Sequence, residues 1–359
     1  MKDTNTASTK LSFFAAANGY SGFRSYFSKI FAPDKYSAIY ILKGGPGTGK
    51  SSFMKRLLAE LESTLDGCEA IHCSSDTRSL DGIILRKGAS SIAVIDGTAP
   101  HATDPIFPGA VDKIINLGEH WDEKILTDNQ ENIKVIGQSK KKAYKSAYDY
   151  LSIAGEITKT VDESLNEIYT DEDEDLIASL LSKDMHKKGT ATIRLLTSYG
   201  KDGIGRLDTL RQTAEKIYSA VGVYGSEYIF MSRLYRALEY AGEDYILFPS
   251  ALDENKIYAL FIPSRSIAFV AERLSGVPDE RVIDTSRFLD ENRLSREKER
   301  LEFLWREREA FLWSSADQFK KASDEHFKLE KIYTAAMDFS KIDEVYALCV
   351  SDIKKKLGL

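Results

Sequence analysis

The clearest pattern of hydrophobic and polar positions lies between residues 38 and 61. The run AIYIL, Ala38 to Leu42, is apolar and rich in β-branched and aromatic residues, which is typical of a strand buried on both faces. A glycine-rich stretch follows it. Beyond that stretch, apolar residues recur at helical spacing, at Phe53, Met54, Leu57, Leu58 and Leu61. The pattern predicts a strand, a loop and an amphipathic helix in that order.

Two further apolar runs end in polar residues. The segment EAIHCSSD predicts a strand from Glu69 to Asp76, and SSIAVIDG predicts a strand whose apolar residues 92–95 end at Asp96. Ligands bind at the carboxyl ends of strands in open α/β sheets. We therefore expect Ser74, Asp76 and Asp96 to lie at the ligand-binding edge of the sheet.

The second half of the chain repeats this organisation. FMKRLLAEL at 53–61 reappears as FMSRLYRAL at 230–238, and SSIAVID reappears as RSIAFVA. KIINLGEHWDE at 113–123 likewise matches RVIDTSRFLDE at 281–291, and the offsets of such matches stay between 168 and 181 without a change of order. Constant order with slowly drifting offsets predicts an internal duplication with small loop deletions.

A long region of helical periodicity follows each repeat, at about 125–185 and about 290–340. We therefore predict an α/β protein of two tandem domains, each a mostly parallel sheet flanked by helices with a long helical extension. The first domain is expected at 1–190 and the second at 191–359.

Composition and charge agree with a folded protein and narrow the function. Of 359 residues, 43% are hydrophobic and 29% are charged, so neither wholesale disorder nor a membrane protein is indicated. The net charge of -6 gives no clear signal for nucleic-acid binding. Three cysteines and the absence of a signal-peptide pattern or an apolar span favour a soluble cytoplasmic protein without membrane association.

The glycine-rich loop matches the phosphate-binding pattern GxxxxGK[ST]. In such a loop, glycines let backbone N–H groups turn toward phosphate oxygens at a helix N-terminus. Lys50 would reach the β- and γ-phosphates, and the Ser51 hydroxyl would ligate Mg²⁺. The residues predicted to bind the nucleotide are Gly44, Gly45, Pro46, Gly47, Thr48, Gly49, Lys50, Ser51 and Ser52.

Asp96 has the position expected of the second acidic group near the magnesium ion, so Ser51 and Asp96 are the predicted metal residues. Asp76 is a candidate for contacting substrate or orienting water, and its alternative is to cap the following turn. His101, in the loop after Asp96, is a candidate general base or phosphate sensor, and its alternative is a solvated loop residue.

The repeat has not kept these residues in its second copy. At the offset of 177 set by the FM-x-RL match, Gly49 aligns with Ser226, Lys50 with Glu227 and Ser51 with Tyr228. At an offset of 175, Asp96 aligns with Ala271. A glutamate in place of the lysine would repel phosphate, so the second copy is expected not to bind a nucleotide in the same way.

The motifs GGPGTGKSS, HCSSDTRSLDG and IAVIDGTAPHATDPIFPGAVDKIINLG, with the repeat, resemble an uncharacterised bacterial family of tandem P-loop ATPase-like proteins. The resemblance spans nearly the whole chain. It implies a P-loop NTPase fold, ATP binding and hydrolysis, and a second nucleotide-binding domain whose own P-loop is replaced here by Ser226, Glu227 and Tyr228.

Three functions follow from these features. The first is a Mg²⁺-dependent ATPase or NTPase with one N-terminal site and a structural or regulatory second repeat, completed by an arginine among Arg233, Arg236, Arg265 and Arg273. The second is a small-molecule or nucleotide kinase. The third is a nucleotide-dependent scaffold that binds a protein partner or forms a homo-oligomer through its helical regions.

Overall fold

The computed structural model describes residues 9–181, 188–274 and 279–359. Contacts between residues divide the chain into two compact units. Unit 1 comprises Met1–Ala16, Ser25–Lys145 and Gln318–Leu359, and unit 2 comprises Ala17–Arg24 and Ser146–Asp317. Each unit therefore combines segments from both halves of the chain.

Strands and helices alternate along both halves. The β-strands are β1 (Thr9–Phe14), β2 (Ala16–Gly19), β3 (Gly22–Ser25), β4 (Ala38–Lys43), β5 (Gly67–His72), β6 (Leu80–Lys87), β7 (Ser90–Asp96), β8 (Asp112–Asn116), β9 (Ala191–Ile193), β10 (Thr197–Gly200), β11 (Gly203–Arg206), β12 (Lys216–Val221), β13 (Tyr245–Pro249), β14 (Ile257–Ile262), β15 (Ile267–Val270) and β16 (Glu280–Asp284). The α-helices are α1 (Phe27–Ile30), α2 (Lys50–Leu61), α3 (Glu123–Asp128), α4 (Gln130–Ile168), α5 (Glu174–Leu180), α6 (Thr209–Thr213), α7 (Ser226–Leu238), α8 (Glu291–Ala336) and α9 (Phe339–Leu357). Short 3-10 helices lie at Pro33–Lys35, Glu62–Thr64, Leu117–His120, Pro263–Arg265 and Thr285–Phe288.

The sheet of unit 1 has the strand order β1-β5-β6-β7-β4-β8. The pairs β1–β5, β4–β7 and β4–β8 are parallel, whereas β6 is antiparallel to both of its neighbours. Leu42 lies opposite Asp96, and Gly82 lies opposite Ile95. The start of β6 is therefore at the same edge of the sheet as the carboxyl ends of β4 and β7.

One core of unit 1 lies between the sheet, α2 and α9. The apolar face of α2 is buried as its spacing predicts, with Phe53, Met54 and Leu57 each at most 3% exposed. Helix α9 adds side chains to the same core, and Asp338 caps its first turn by accepting from the backbone N–H of Ser340 at 3.0 Å. A segment from the end of the chain thus completes the core around the first repeat's central strand.

The sheet of unit 2 has the order β16-β12-β15-β14-β13-β9. Strand β12 is parallel to β15 and β16, β13 is parallel to β9, and β14 is antiparallel to both of its neighbours. Its core combines Phe230 and Leu234 of α7 with Ile177 and Leu180 of α5. Two short hairpins, β2–β3 and β10–β11, also belong mainly to this unit.

The two sheets have the same strand order, position for position, when β1, β4, β5, β6, β7 and β8 are matched to β9, β12, β13, β14, β15 and β16. The prediction of an α/β protein with two mixed, mostly parallel sheets flanked by helices is confirmed. None of the described helices is long and apolar enough to cross a lipid bilayer.

The compact units do not follow the halves of the repeat. Helix α5 comes from the first half and packs in the core of unit 2, whereas α9 comes from the second half and packs in the core of unit 1. Isolated β-bridges mark equivalent places, Tyr169 with Leu289 in unit 2 and Trp121 with Met337 in unit 1. The repeat boundary near residue 190 concerns sequence similarity and stays a prediction, and residues 182–187 beside it lie outside the described residues.

Candidate functional site

The glycine-rich loop, residues 44–49, joins β4 to α2. Gly49 precedes the helix with a φ of +84°, a left-handed conformation that favours glycine. The turn directs the chain from a buried strand straight into a 12-residue helix. The backbone N–H groups of the first helical turn have no partner within a helix and present partial positive charge at this end.

Lys50 is the first residue of α2, and its side chain folds back over the loop. Its ammonium donates to the carbonyl oxygens of Gly44 at 2.8 Å and Gly45 at 2.9 Å. The Nζ atom also lies 3.7 Å from Oδ2 of Asp96, and both side chains are largely buried. Burial lowers the pKa of Lys50, and the nearby Asp96 carboxylate opposes that shift. A largely desolvated cation therefore lies at the helix N-terminus, as the sequence predicted.

Asp96 ends β7, directly beside the strand that leads to the loop. Its Oδ1 accepts from the backbone N–H of Thr98 at 2.9 Å and from the Thr98 hydroxyl at 2.6 Å. The other oxygen faces Lys50. Gly97 follows because a Cβ at this position would fall 2.3 Å from the side chain of Ile41. The local chain thus fixes the direction of the Asp96 carboxylate.

Asp81 is an acidic residue of the site that the sequence did not predict. It lies at the start of β6 and is 7% exposed. Burial, reinforced by the negative charge of Asp96, raises the pKa of Asp81 to about 8. The only signal in the sequence is its place directly before the apolar run GIIL, because its position depends on the antiparallel pairing of β6 with β7.

His101 is buried rather than solvated. Its ring stacks on Phe27 with centroids 4.2 Å apart, and its Nε2 lies 3.9 Å from Oδ2 of Asp81. Burial lowers the pKa of His101. Lys43 holds the loop that carries this histidine by donating to the carbonyls of Gly97 at 2.9 Å and Thr103 at 2.7 Å.

Asp81, Asp96 and His101 each offer a ligand atom, and these atoms all lie within 4.8 Å of one another. Carboxylate oxygens suit a hard cation such as Mg²⁺, whereas an imidazole nitrogen suits a transition metal better. The two aspartates are therefore the residues of this cluster that could hold a hard cation, and His101 lies beside them.

The other residues predicted to bind the nucleotide differ in their burial and in their hydrogen bonds. Ser51 Oγ accepts from the backbone N–H of Leu80 at 2.9 Å, which ties α2 to the start of β6. Thr48 is buried, and its hydroxyl donates to the carbonyl of Gly45 at 3.0 Å. Pro46 is partly buried, and Ser52 is exposed on the first turn of the helix.

Asp76 lies on the turn after β5. Its carboxylate accepts from the backbone N–H of Arg78 at 3.1 Å and from the Arg78 guanidinium at 3.1 and 3.2 Å. These contacts are those of a residue that caps a turn, the structural alternative left open by the sequence. Ser74 is buried near the same turn.

The last turns of α8 pack against the glycine-rich loop. The hydroxyl of Thr334 donates to the carbonyl of Gly47 at 3.3 Å. A Cβ on Gly47 would fall 2.7 Å from the carbonyl oxygen of Glu330. Trp121 and Tyr333 pack beside Gly45, with ring centroids 5.5 Å apart. Residues from the second half of the chain thus cover the loop of the first.

The corresponding loop of unit 2 is shorter. Residues 222–225 join β12 to α7, four residues where unit 1 has six. Gly225 precedes the helix at a φ of +94°, so it is the counterpart of Gly49. The structure therefore places Ser226, and not Glu227, where Lys50 begins α2, which corrects the local alignment by one residue.

Two side chains from outside the second loop lie against it, because a Cβ on Gly222 would fall 2.0 Å from the Ser226 hydroxyl and 2.2 Å from the Thr285 hydroxyl. The hydroxyls of Ser226 and Thr285 lie 2.8 Å apart and are buried. Ala271, buried after β15, offers no carboxylate. A nearby cavity of about 20 Å³, lined by Tyr228, Lys256 and Arg308 among others, has room for about one water molecule. At the positions that match Lys50 and Asp96 this region has Ser226 and Ala271, so it offers neither the ammonium nor the carboxylate of the first loop.

Comparisons of the chain with protein-family models, with curated proteins and with solved structures find no match.

Proposed function

We propose that unit 1 is a P-loop NTPase domain that binds a nucleoside triphosphate with Mg²⁺, with ATP the expected nucleotide, and hydrolyses it. The observation that carries this proposal is the meeting of Lys50 and Asp96, 3.7 Å apart, at the N-terminus of α2. A cation, an acidic group beside it and a helix N-terminus are the parts that phosphoryl-transfer sites combine.

The loop supplies the phosphate contacts in this proposal. Phosphate oxygens accept from the backbone N–H groups of the loop and of the first turn of α2. Lys50 exchanges the carbonyls of Gly44 and Gly45 for the β- and γ-phosphates, which satisfies a buried ammonium with stronger, charged acceptors. Thr48 and Asp96 keep their present contacts and hold the loop and the strand end in place.

The oxygens of Ser51, Asp96 and Asp81 would hold the magnesium ion. When bound, Mg²⁺ neutralises charge on the β- and γ-phosphate oxygens. The Ser51 hydroxyl already accepts one hydrogen bond from Leu80, and its second lone pair is available to a cation. His101 lies beside the aspartates and can accept a proton from an attacking water.

Hydrolysis is favoured over transfer to an acceptor because Asp76, the candidate for contacting substrate, and the segment beside it are engaged elsewhere. Asp76 bonds to Arg78, and the hydroxyl of Tyr144 donates to Ser75 at 3.3 Å. The second repeat takes the role of a partner segment: it lacks a matching loop and contributes the end of α8, from Gln318, and α9 to unit 1. The single working site is a departure from the resemblance, which implies a second nucleotide-binding domain.

The test is the substitution Lys50→Ala in the full chain, with Lys55→Ala as the matched control, because Lys55 is an exposed lysine on the same helix. We expect Lys50→Ala to weaken Mg-ATP binding in calorimetry and to reduce phosphate release by at least about 100-fold. Lys55→Ala should behave as the wild-type protein. Equal nucleotide affinity and turnover in both variants would refute the proposal.

A further inference from the structure

A chain of three polar side chains lies next to the proposed nucleotide site. The ammonium of Lys140, on α4, lies 3.0 Å from Nδ1 of His326, on α8. The Nε2 of His326 lies 3.4 Å from Oε1 of Glu330, one helical turn farther along α8. Because Lys140 donates to Nδ1, His326 carries its proton on Nε2 and directs it toward Glu330.

The faces of α4 and α8 place these three side chains between the glycine-rich loop and the end of β5. On α4, Tyr144 follows Lys140 by one turn and donates to Ser75 of the segment after β5. On α8, Thr334 follows Glu330 by one turn and donates to Gly47 of the glycine-rich loop. The two helices pack together within unit 1, where the ring of Tyr144 meets Phe319 edge-on at 5.8 Å. Lys140 therefore lies where loop, strand end and both helices converge.

Electrostatic contacts agree with this placement. The negative charge of Glu330 acts on both Lys50 and Lys140 and favours their protonated forms. Cys73, directly after β5, interacts electrostatically with Lys140 and forms a side-chain hydrogen bond with Asp81. Burial lowers the pKa of Lys140, as expected for an ammonium held in a partly closed site.

The other described cations near the loop and strand ends in unit 1 have different tasks. Lys43 is bound to the carbonyls of Gly97 and Thr103, and Arg78 pairs with Asp76 while 71% exposed. The arginines considered from the sequence all belong to unit 2, where Arg233 pairs with Asp171 and Arg265 pairs with Glu243. Lys140 is thus the second cation of this site within the described residues of unit 1.

We propose that Lys140 is the cation that contacts the γ-phosphate during hydrolysis, and that His326 and Glu330 are positioning residues that hold it there. This inference rests on the proposed function. Lys140 has further N–H donors besides the one directed at His326, and an oxygen of the γ-phosphate can accept one of them. The positioning residues come from the second half of the chain, so the repeat without a working loop completes the site of the first.

In the reaction, a water oxygen forms a bond to the γ-phosphorus while the bond from that phosphorus to the β,γ-bridging oxygen breaks. The electron pair of the broken bond stays on ADP. One proton of the water stays on the released phosphate, and the other passes to His101 and from there to solvent. Lys140 keeps its proton throughout and offsets negative charge on the transferring group.

The experiment compares Lys140→Ala and Lys140→Gln with Lys141→Ala, a neighbouring exposed lysine. For each variant, kcat and KM for Mg-ATP are measured, with the affinities for Mg-ADP and for Mg-ADP with aluminium fluoride, a mimic of the transferring phosphoryl group. We expect both Lys140 variants to lose about 100-fold in kcat and in affinity for the fluoride complex, with little change in Mg-ADP affinity. Thermal melts verify that each variant folds.

His326 is tested through the difference between two substitutions. His326→Leu removes the acceptor for Lys140 and should lower kcat by about 10-fold without a change in KM. His326→Gln keeps an acceptor and a donor and should restore most of that loss. A merely structural role would lower thermal stability in both variants without this recovery of kcat.

The outcomes separate the two proposals. If the wild-type chain binds no Mg-ATP, both are wrong. If it binds and hydrolyses Mg-ATP while the Lys140 variants match Lys141→Ala, the role of Lys140 is refuted and the proposed function stands. Failure of both Lys140 variants to fold would assign Lys140 a structural role and would also overturn the inference.

Discussion

Glu227 is a partly buried carboxyl group of unit 2, in the first turn of α7. Burial is the largest cause that raises its pKa, from 4.5 to about 7, although Lys256 and Arg308 oppose the shift. Lys256 is already paired with Asp162 at 2.6 Å. The position therefore penalises negative charge, as the sequence led us to expect of this loop.

The raised pKa makes folding stability depend on pH. The folded state holds the Glu227 proton more tightly than the unfolded state, so this group stabilises the fold below about pH 4.5 and that contribution is lost as the pH rises through 7. The rise of the pKa from 4.5 to about 7, at about 1.4 kcal/mol for each pKa unit, sets an upper limit of about 3.5 kcal/mol. Relaxation around the charge reduces this, so we expect Glu227→Gln to gain about 1 to 3 kcal/mol at pH 8 and almost nothing at pH 4.

The assay is urea unfolding at pH 4, 6 and 8 for the wild-type protein, Glu227→Gln and a control. Glu254→Gln is the control because Glu254 belongs to the same unit and its side chain is 50% exposed. The free energy of unfolding of Glu227→Gln minus that of the wild type should grow with pH, and the same difference for the control should stay flat. A Glu227→Gln variant that is equally or less stable at pH 8 than at pH 4, relative to wild type, would refute the argument.

Two shorter predictions concern the loop of unit 1. Gly47→Ala should destabilise the protein by about 1 to 3 kcal/mol and weaken Mg-ADP binding, because Gly47 has a φ of +71° and its Cβ would fall 2.6 Å from the Thr334 hydroxyl. Thermal melts check this against Gly137→Ala, where a Cβ meets nothing within 4 Å and a helix should gain stability. Trp121→Phe should abolish the change in intrinsic fluorescence on adding Mg-ATP, since Trp121 packs on Gly45. Trp313→Phe, at a 67% exposed residue of unit 2, should keep that change, and the reverse pattern would contradict the proposed place of the nucleotide.

Local features of the site could be predicted from the sequence because they depend on neighbours in the chain. The buried strand before the loop, the helix from Lys50 and the acidic end of β7 follow from hydrophobic spacing over a few residues. The repeat likewise predicted two mostly parallel sheets flanked by helices, and the structure adds that their strand orders match. Each of these inferences needed only short-range patterns or a comparison of the chain with itself.

Features that depend on distant residues could not be predicted. Strand β6 could not be predicted, because its first three residues, LDG, include a charged residue and a glycine where a strand pattern should begin. Asp81 enters the site only because β6 pairs antiparallel with β7. His101 is buried because Phe27, far away in the sequence, stacks on its ring. No local pattern encodes these pairings.

The contribution of the second half of the chain was also hidden, because helical periodicity shows which face of a helix is apolar and not what that face packs against. Helix α8 brings Glu330 and Thr334 to the first loop, and α9 brings Ile353 and Leu357 into the first core. The shorter loop of unit 2 could not be predicted for a related reason. The sequence match lies within the two helices, and extending it into the loops gave an alignment that is wrong by one residue.

This exchange of helices shows what the second half of the chain contributes although its loop has no counterpart of Lys50 or Asp96. Each large apolar side chain of α9 that is buried in unit 1 contributes about 2 kcal/mol, and α9 buries Ile342, Tyr346, Val350, Ile353 and Leu357. A lost lysine in the second loop removes none of this burial. Loss of the whole second half would remove it all and would uncover the first loop, since α8 would go as well. The second repeat can therefore change its own loop freely while the stability and the site of unit 1 continue to require its helices.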